Sequence, residues 1–145
     1  MKRTKGLTLM ELTIVLAIIA IIAGILIPLF LLTTDRARLR GDIQSARVIQ
    51  NAIELYIIER GSTTLMNGDD INAIVTRLAE TRYINQRNTR IQTNGATWVR
   101  HNHPTYGRLV MVDIGGSDVT DEIHRAYASL PEDEQVYVRN GDKNR

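Results

Sequence analysis

Hydrophobic residues recur along this chain in two different rhythms. From Leu12 to Leu32, 21 consecutive positions carry no charge. At about 1.5 Å per residue, a helix of that length reaches about 31 Å, the thickness of a bilayer's hydrocarbon core. Beyond Pro28 the pattern becomes one-sided. Leu39, Ile43, Ala46, Ile49, Ala52, Ile53, Tyr56 and Ile57 return at three- and four-residue spacing, which marks one buried helix face. Arg40, Asp42, Gln44, Arg47, Gln50, Asn51 and Glu54 fill the other positions and are expected to meet water. Gly61 is the expected stop. Gly41, inside the run, costs about 1 kcal/mol relative to alanine. The pattern predicts one helix from near Leu7 to near Arg60, bent at Pro28.

The remaining elements are shorter. Asp69 or Asp70 is expected to cap a helix that buries Ile71, Ile74, Val75 and Leu78. Ala96 to Val99 and Arg108 to Ile114 read as strands. In the second, Val110, Val112 and Ile114 alternate with Leu109, Met111 and Asp113. Gly115-Gly116 is a turn. Ser117 or Asp118 is expected to cap a helix carrying Val119, Ile123, Ala126, Tyr127 and Leu130, which Pro131 ends. Val136 to Val138 makes a last strand, and Asn140 to Arg145 a polar, frayed tail. The expected fold class is α+β, a long bent helix packed on a small antiparallel sheet. Residues after Thr33 suffice for one small core.

Composition changes this picture in two places. There is no cysteine, so disulfides, thiolate metal sites and lipidated cysteine are excluded. The net charge is +2, but Lys2, Arg3 and Lys5 supply more than that. Without them 15 basic side chains face 16 acidic ones, so the basic pI does not argue for nucleic-acid binding. Those three residues instead place the N-terminus on the cytoplasmic side of a spanning helix. A secretory signal peptide fits poorly, because its apolar region runs about 7–15 residues and ends at a small-x-small site. Here the apolar block is longer and leads into Ile25-Leu26-Ile27-Pro28-Leu29-Phe30.

Glu11 stands at the edge of the apolar run. A carboxylate there costs about 2.5–3.5 kcal/mol at the bilayer centre and less near the interface. Nothing within the apolar run supplies a partner, so one is expected from another group or another molecule.

Gly6-Leu7-Thr8-Leu9-Met10-Glu11, followed by the long apolar run, resembles the processing motif of type IV prepilins and secretion pseudopilins. The resemblance implies cleavage by prepilin peptidase between Gly6 and Leu7, and methylation of the new amine on Leu7. The family's commonest first residue is phenylalanine; leucine stands here. Glu11 becomes the fifth residue of the processed chain, where the family keeps its glutamate. That glutamate faces the N-terminal amine of a neighbouring subunit, so pairing removes the penalty of two isolated charges and sets the stagger. Pro28 falls 22 residues into the processed chain, where pilins carry a helix-bending proline, and Gly24 lies one turn earlier. Ala52, Tyr56 and the Gly61 turn resemble the end of the pilin helix, so the likeness covers about the first 60 residues.

The resemblance divides the chain into a leader (1–6), a transmembrane and filament-core helix (7–32) and a soluble pilin-like domain (33–145). It implies a structural filament subunit without a cofactor, held single-pass in the cytoplasmic membrane with its N-terminus inside before it joins a pilus or pseudopilus. Implied partners are copies of itself and related pilins, prepilin peptidase, an assembly platform protein and a cytoplasmic ATPase. A surface pilus, a competence filament and a type II secretion pseudopilus are all compatible with these residues.

The same sequence offers other candidate chemistry. His101 and His103 share a strand face but have no third ligand, and Pro104 points to a solvated loop. Asp113, Asp118, Asp121 and Glu122 carry oxygens of the kind calcium takes, yet suit a helix N-terminus better. Arg82, Arg87, Arg90 and Arg100, with Tyr83 and Trp98, form a mildly basic stretch that DNA could use; a solvated surface is the simpler reading. No phosphate loop or catalytic set is present. The alternatives are an uncleaved, membrane-tethered binding domain and an exported enzyme, and the fate of the first six residues separates all three.

Overall fold

The computed structural model describes residues 8–61 and 70–141. Helix α1 runs without interruption from Leu9 to Arg60, 52 residues and about 78 Å of rise. Gly61 ends it as expected, with φ of 61° and its N–H on the Ile57 carbonyl at 2.9 Å. A left-handed residue at this place satisfies one of the last free carbonyls.

The first half of α1 packs on nothing else among the described residues. Its large apolar side chains from Leu9 to Leu31 are exposed on every side. The second half carries the domain. Ala46, Ile49, Ala52 and Ile53 form one cluster with Ile71, Ile74, Val75 and Leu78 of α2 (Ile71–Glu80) and with Ile84 and Val110. Leu39 and Ile43 form a second cluster with Val112, Ile114, Ile123, Leu130 and Val138. Tyr56 and Ile57, at the end of the stripe, are only partly buried.

Asp70 caps α2, accepting the Asn72 N–H at 2.9 Å; Asp69 lies outside the described residues. A short 3-10 turn, Gln86–Thr89, follows. Strand β1 (Thr97–His103) pairs antiparallel with β2 (Gly107–Asp113), Thr97 opposite Asp113 and His103 opposite Gly107. β3 (Val138–Arg139) pairs parallel with β2, so the sheet is mixed, in the order β1-β2-β3. The antiparallel expectation holds for the hairpin and fails for the third strand. Two helices, α3 (Asp121–Ala128) and α4 (Glu132–Gln135), lie between β2 and β3, and a connection of that length lets the chain return in the same direction.

Three local expectations are corrected. β2 does not alternate, because Leu109 and Met111 are buried along with Val110 and Val112; it is the middle strand. α3 begins after Thr120 rather than at Ser117 or Asp118. Pro131 does more than stop α3: it opens α4, where its missing N–H costs nothing.

The polar positions of α1 hold the largest difference. Asp42 was placed on the water face, yet it is fully buried. Its two oxygens accept the backbone N–H groups of Gln92 and Thr93, each at 2.8 Å. Gly41 makes room beside it, since a Cβ there would lie 3.3 Å from the Gln92 amide nitrogen. Gln50 accepts the Val110 N–H at 3.2 Å. Val112 and Ile114 give their N–H groups to carbonyls of Tyr137 and Arg139; β3 does not reach Val110, and α1 supplies the acceptor instead. Arg47 lies over the Tyr137 ring at 4.7 Å. At the far end Tyr83 donates to Glu59. That hydrogen bond, then desolvation, raises the Tyr83 pKa above the ordinary tyrosine value.

A buried N–H that loses its acceptor costs about 1–3 kcal/mol. Asp42→Ala is therefore expected to destabilise the domain by about 2–5 kcal/mol, against at most about 0.5 kcal/mol for the exposed Gln44→Ala. Thermal unfolding of both full-length variants in detergent micelles checks this. Equal losses would show that the 92–93 segment holds its place without Asp42.

Candidate functional site

Gly6 and Leu7, the residues of the expected cleavage, lie outside the described residues. The structure begins at Thr8, and Thr8 answers the question that Glu11 posed. Thr8 has extended backbone angles, φ −76° and ψ 152°, and is the N-cap of α1. Its backbone N–H donates to Glu11 Oε2 at 2.8 Å, and its hydroxyl donates to the same oxygen at 3.0 Å. The Glu11 N–H returns a bond to the Thr8 hydroxyl oxygen at 3.2 Å. This reciprocal arrangement is a capping box.

Of the two expected sources of a partner for Glu11, another group or another molecule, the single chain uses the first. Its partner is Thr8, three residues back. The signal was in the sequence as Thr8-Leu9-Met10-Glu11, the spacing of a capping box ahead of an apolar run. The position also suits the charge, because the open N–H groups of a helix start favour an anion. Glu11 Oε1 has no hydrogen-bond partner among the described residues.

Pro28 lies inside α1. It has no N–H, so the carbonyl four residues earlier, that of Gly24, loses its helical donor. Gly24 and Pro28 are thus two ends of one missing bond, which sequence spacing alone had made only neighbours. The helix continues through them. Just beyond, the Thr33 and Thr34 hydroxyls donate to the Leu29 and Phe30 carbonyls at 2.9 Å, contacts that tend to bend helices slightly.

The remaining candidates separate. His101 and His103 lie in β1, not in a loop. The His103 ring accepts the N–H of Thr105 at 3.2 Å and of Tyr106 at 3.4 Å, and shapes the hairpin. Asp113 accepts the Gly115 N–H and faces Arg139. Glu122 sits in the first turn of α3 and pairs with Arg125. Its pKa is lowered by its own backbone N–H and then by the Thr120 hydroxyl. Asp118 accepts the Ser117 hydroxyl at 3.3 Å and Asp121 stands in the first turn of α3, and no group of three metal-ligating side chains occurs among the described residues. Arg87, Arg90 and Trp98 do come together, around a depression of about 640 Å³ beside α2; Arg82 and Tyr83 line a neighbouring one. Arg100 lines neither.

Comparison with known proteins bears on the N-terminal segment. Residues 1–27 match the family described as the prokaryotic N-terminal methylation motif. The chain is 34% identical over 96 residues to prepilin peptidase-dependent protein A of Clostridium perfringens (strain 13 / Type A). That alignment covers 65% of this chain and 59% of the relative, so the chain spans about three-fifths of the protein it matches. No solved structure matches. The chain carries a prepilin-type N-terminal motif on a helix long and apolar enough to cross a membrane.

Loss of an N-cap side chain costs about 0.5–2 kcal/mol. Thr8→Ala is expected to lower hydrogen-exchange protection in the first turn of α1 by about 2- to 30-fold and to leave residues 39–57 unchanged. Mass-resolved exchange of the full chain in micelles checks this. Unaltered protection of the first turn would mean that Thr8 does not hold Glu11.

Proposed function

We propose that the chain is a prepilin-like filament subunit, cut between Gly6 and Leu7, methylated on Leu7 and assembled through α1. The observation that carries the reading is the match of residues 1–27 to the methylation motif, on a helix whose first half finds no cover among the described residues. Apolar surface of that extent needs lipid first and other helices later. Moving from bilayer to filament keeps it away from water in both states.

Glu11 then acts as the register mark. In the single subunit Thr8 holds one oxygen and the helix start offsets the charge. In the filament the other carboxylate oxygen takes the Leu7 amine of a neighbour. Two ions in an apolar bundle repay their desolvation only when paired in good geometry, so misaligned neighbours are disfavoured. The missing bond between Gly24 and Pro28 gives α1 a point at which to bend as it leaves the membrane. Lys2, Arg3 and Lys5 hold the N-terminus inside, where the leader meets prepilin peptidase. A platform protein and an ATPase drive assembly in this reading. The role is structural rather than catalytic.

The first measurement is the intact mass and N-terminal sequence of the chain from its native membrane. A chain beginning at Leu7 with one added methyl group is expected. A chain still beginning at Met1 in cells with active prepilin peptidase would favour the tethered domain. Glu11→Ala is expected to preserve insertion and cleavage while cutting filament yield by about tenfold or more, the effect of leaving one buried charge unpaired. Normal yield from that variant would remove the pairing argument.

A further inference from the structure

We propose that the two flanks of the soluble domain form a charge-matched contact between neighbouring copies of this chain. The arginine-lined groove along α2 receives the acidic corner Glu132-Asp133 of the next copy. This rests on the filament reading above and names the surfaces that would join there.

Charge is segregated along the sequence. Between Asp70 and Arg100, five arginines stand against two acids; between Asp113 and Gln135, seven acids stand against Arg125 alone. The two stretches touch where Thr97 pairs with Asp113, but their far parts, α2 with the segment after it and α3 with α4, meet different faces of α1. Arg36 bonds the Ser129 hydroxyl at 2.8 Å and Arg40 bonds Glu134 at 2.9 Å, so α3 and α4 lie on that line of the helix. Asp42 takes the backbone of Gln92 and Thr93. Two residues along a helix turn it by about 200°, so the segment that follows Arg90 meets α1 from the far side.

The basic flank is a groove. The depression lined by Arg87, Arg90 and Trp98 and the one lined by Arg82 and Tyr83 share Thr76, and each measures about 640 Å³. Arg82, Arg87 and Arg90 are exposed and have no ion pair with a described residue. Arg82 also holds a left-handed backbone, φ 64°, at a helix end where glycine is at ease; its side chain is presented at the mouth despite that cost. On the other flank Glu134 is committed to Arg40 and Glu122 to Arg125. Glu132 and Asp133 remain exposed, side by side in the first turn of α4.

The chemistry favours a second copy over a polyanion. Glu80 lies within the groove, and the chain beyond its first six residues is slightly acidic, so no long-range field gathers nucleic acid. The acidic corner offers the matching charge on a surface present in every copy. A contact between two unlike patches of one chain is heterologous, and such a contact that does not close propagates as a helical filament. Charge matching of this kind sets register and partner choice more than affinity.

The test uses the full-length chain in its native cells, with filament yield read by shearing, immunoblotting and electron microscopy. Membrane level and cleavage at Leu7 are read alongside. Arg87→Glu with Arg90→Glu, and separately Glu132→Arg with Asp133→Arg, should each lower filament yield by about tenfold, because like charges then face each other. The four substitutions together should restore yield to within about twofold of the parent chain, the signature of coupled sites. The proposal is overturned if either double variant assembles normally. It is also overturned if the fourfold variant is processed and present but stays unassembled. Normal filaments that have lost retention of labelled duplex DNA in the arginine variant would overturn it in favour of a nucleic-acid groove. A parent chain that keeps Met1 and forms no filaments overturns the filament reading and this contact together; the variant outcomes overturn the contact alone.

Discussion

One helix has to satisfy two surroundings, and every other part of the chain depends on how it does so. The first half of α1 is apolar on all sides and has no neighbour among the described residues outside its own helix. The second half is apolar on one side only and organises both core clusters. A helix can do this because its backbone bonds are internal and do not change with the medium. Side chains alone decide where lipid ends and the domain begins.

The same helix supplies polar groups where the small domain lacks them. Asp42 gives two acceptors to the Gln92–Thr93 backbone, and Gln50 gives one to β2 beyond the reach of β3. A three-stranded sheet with a two-residue edge strand is marginal by itself. Tied to α1 through buried hydrogen bonds, it cannot slide along the helix without leaving N–H groups unpaired. The domain's surfaces are therefore fixed relative to the second half of α1, and the register of that half carries through to the outer faces. That is what gives the arginine groove and the acidic corner defined positions on the domain.

Much of the architecture was legible from periodicity. The stripe from Leu39 to Ile53, the Gly61 stop and the four buried residues of α2 follow from helical spacing and end signals that are local in sequence. The hairpin was legible because its strands are neighbours. The parallel pairing of β3 was not, since strand direction depends on the path between β2 and β3, and α4 was hidden in a stretch without apolar spacing. The motif residues Gly6, Leu7 and Glu11 and the Gly24–Pro28 pair could be named from the sequence because each lies within a few positions of the next. Which group partners Glu11 was left open until the structure placed Thr8, just ahead of the apolar run, against its carboxylate.

The sequence by itself determined the membrane-length helix, its prepilin-type start, its end and the face it buries, because each is set by residues within a few turns of one another. Only the tertiary structure decided what the polar residue on the buried face of α1 would hold. Two residues turn a helix by about 200°, so Asp42 shares the face of Leu39, Ile43 and Ala46 while Gln44 points away. The partners of Asp42 are Gln92 and Thr93, some 50 residues away, whose backbone N–H groups needed an acceptor once the fold had taken them out of water.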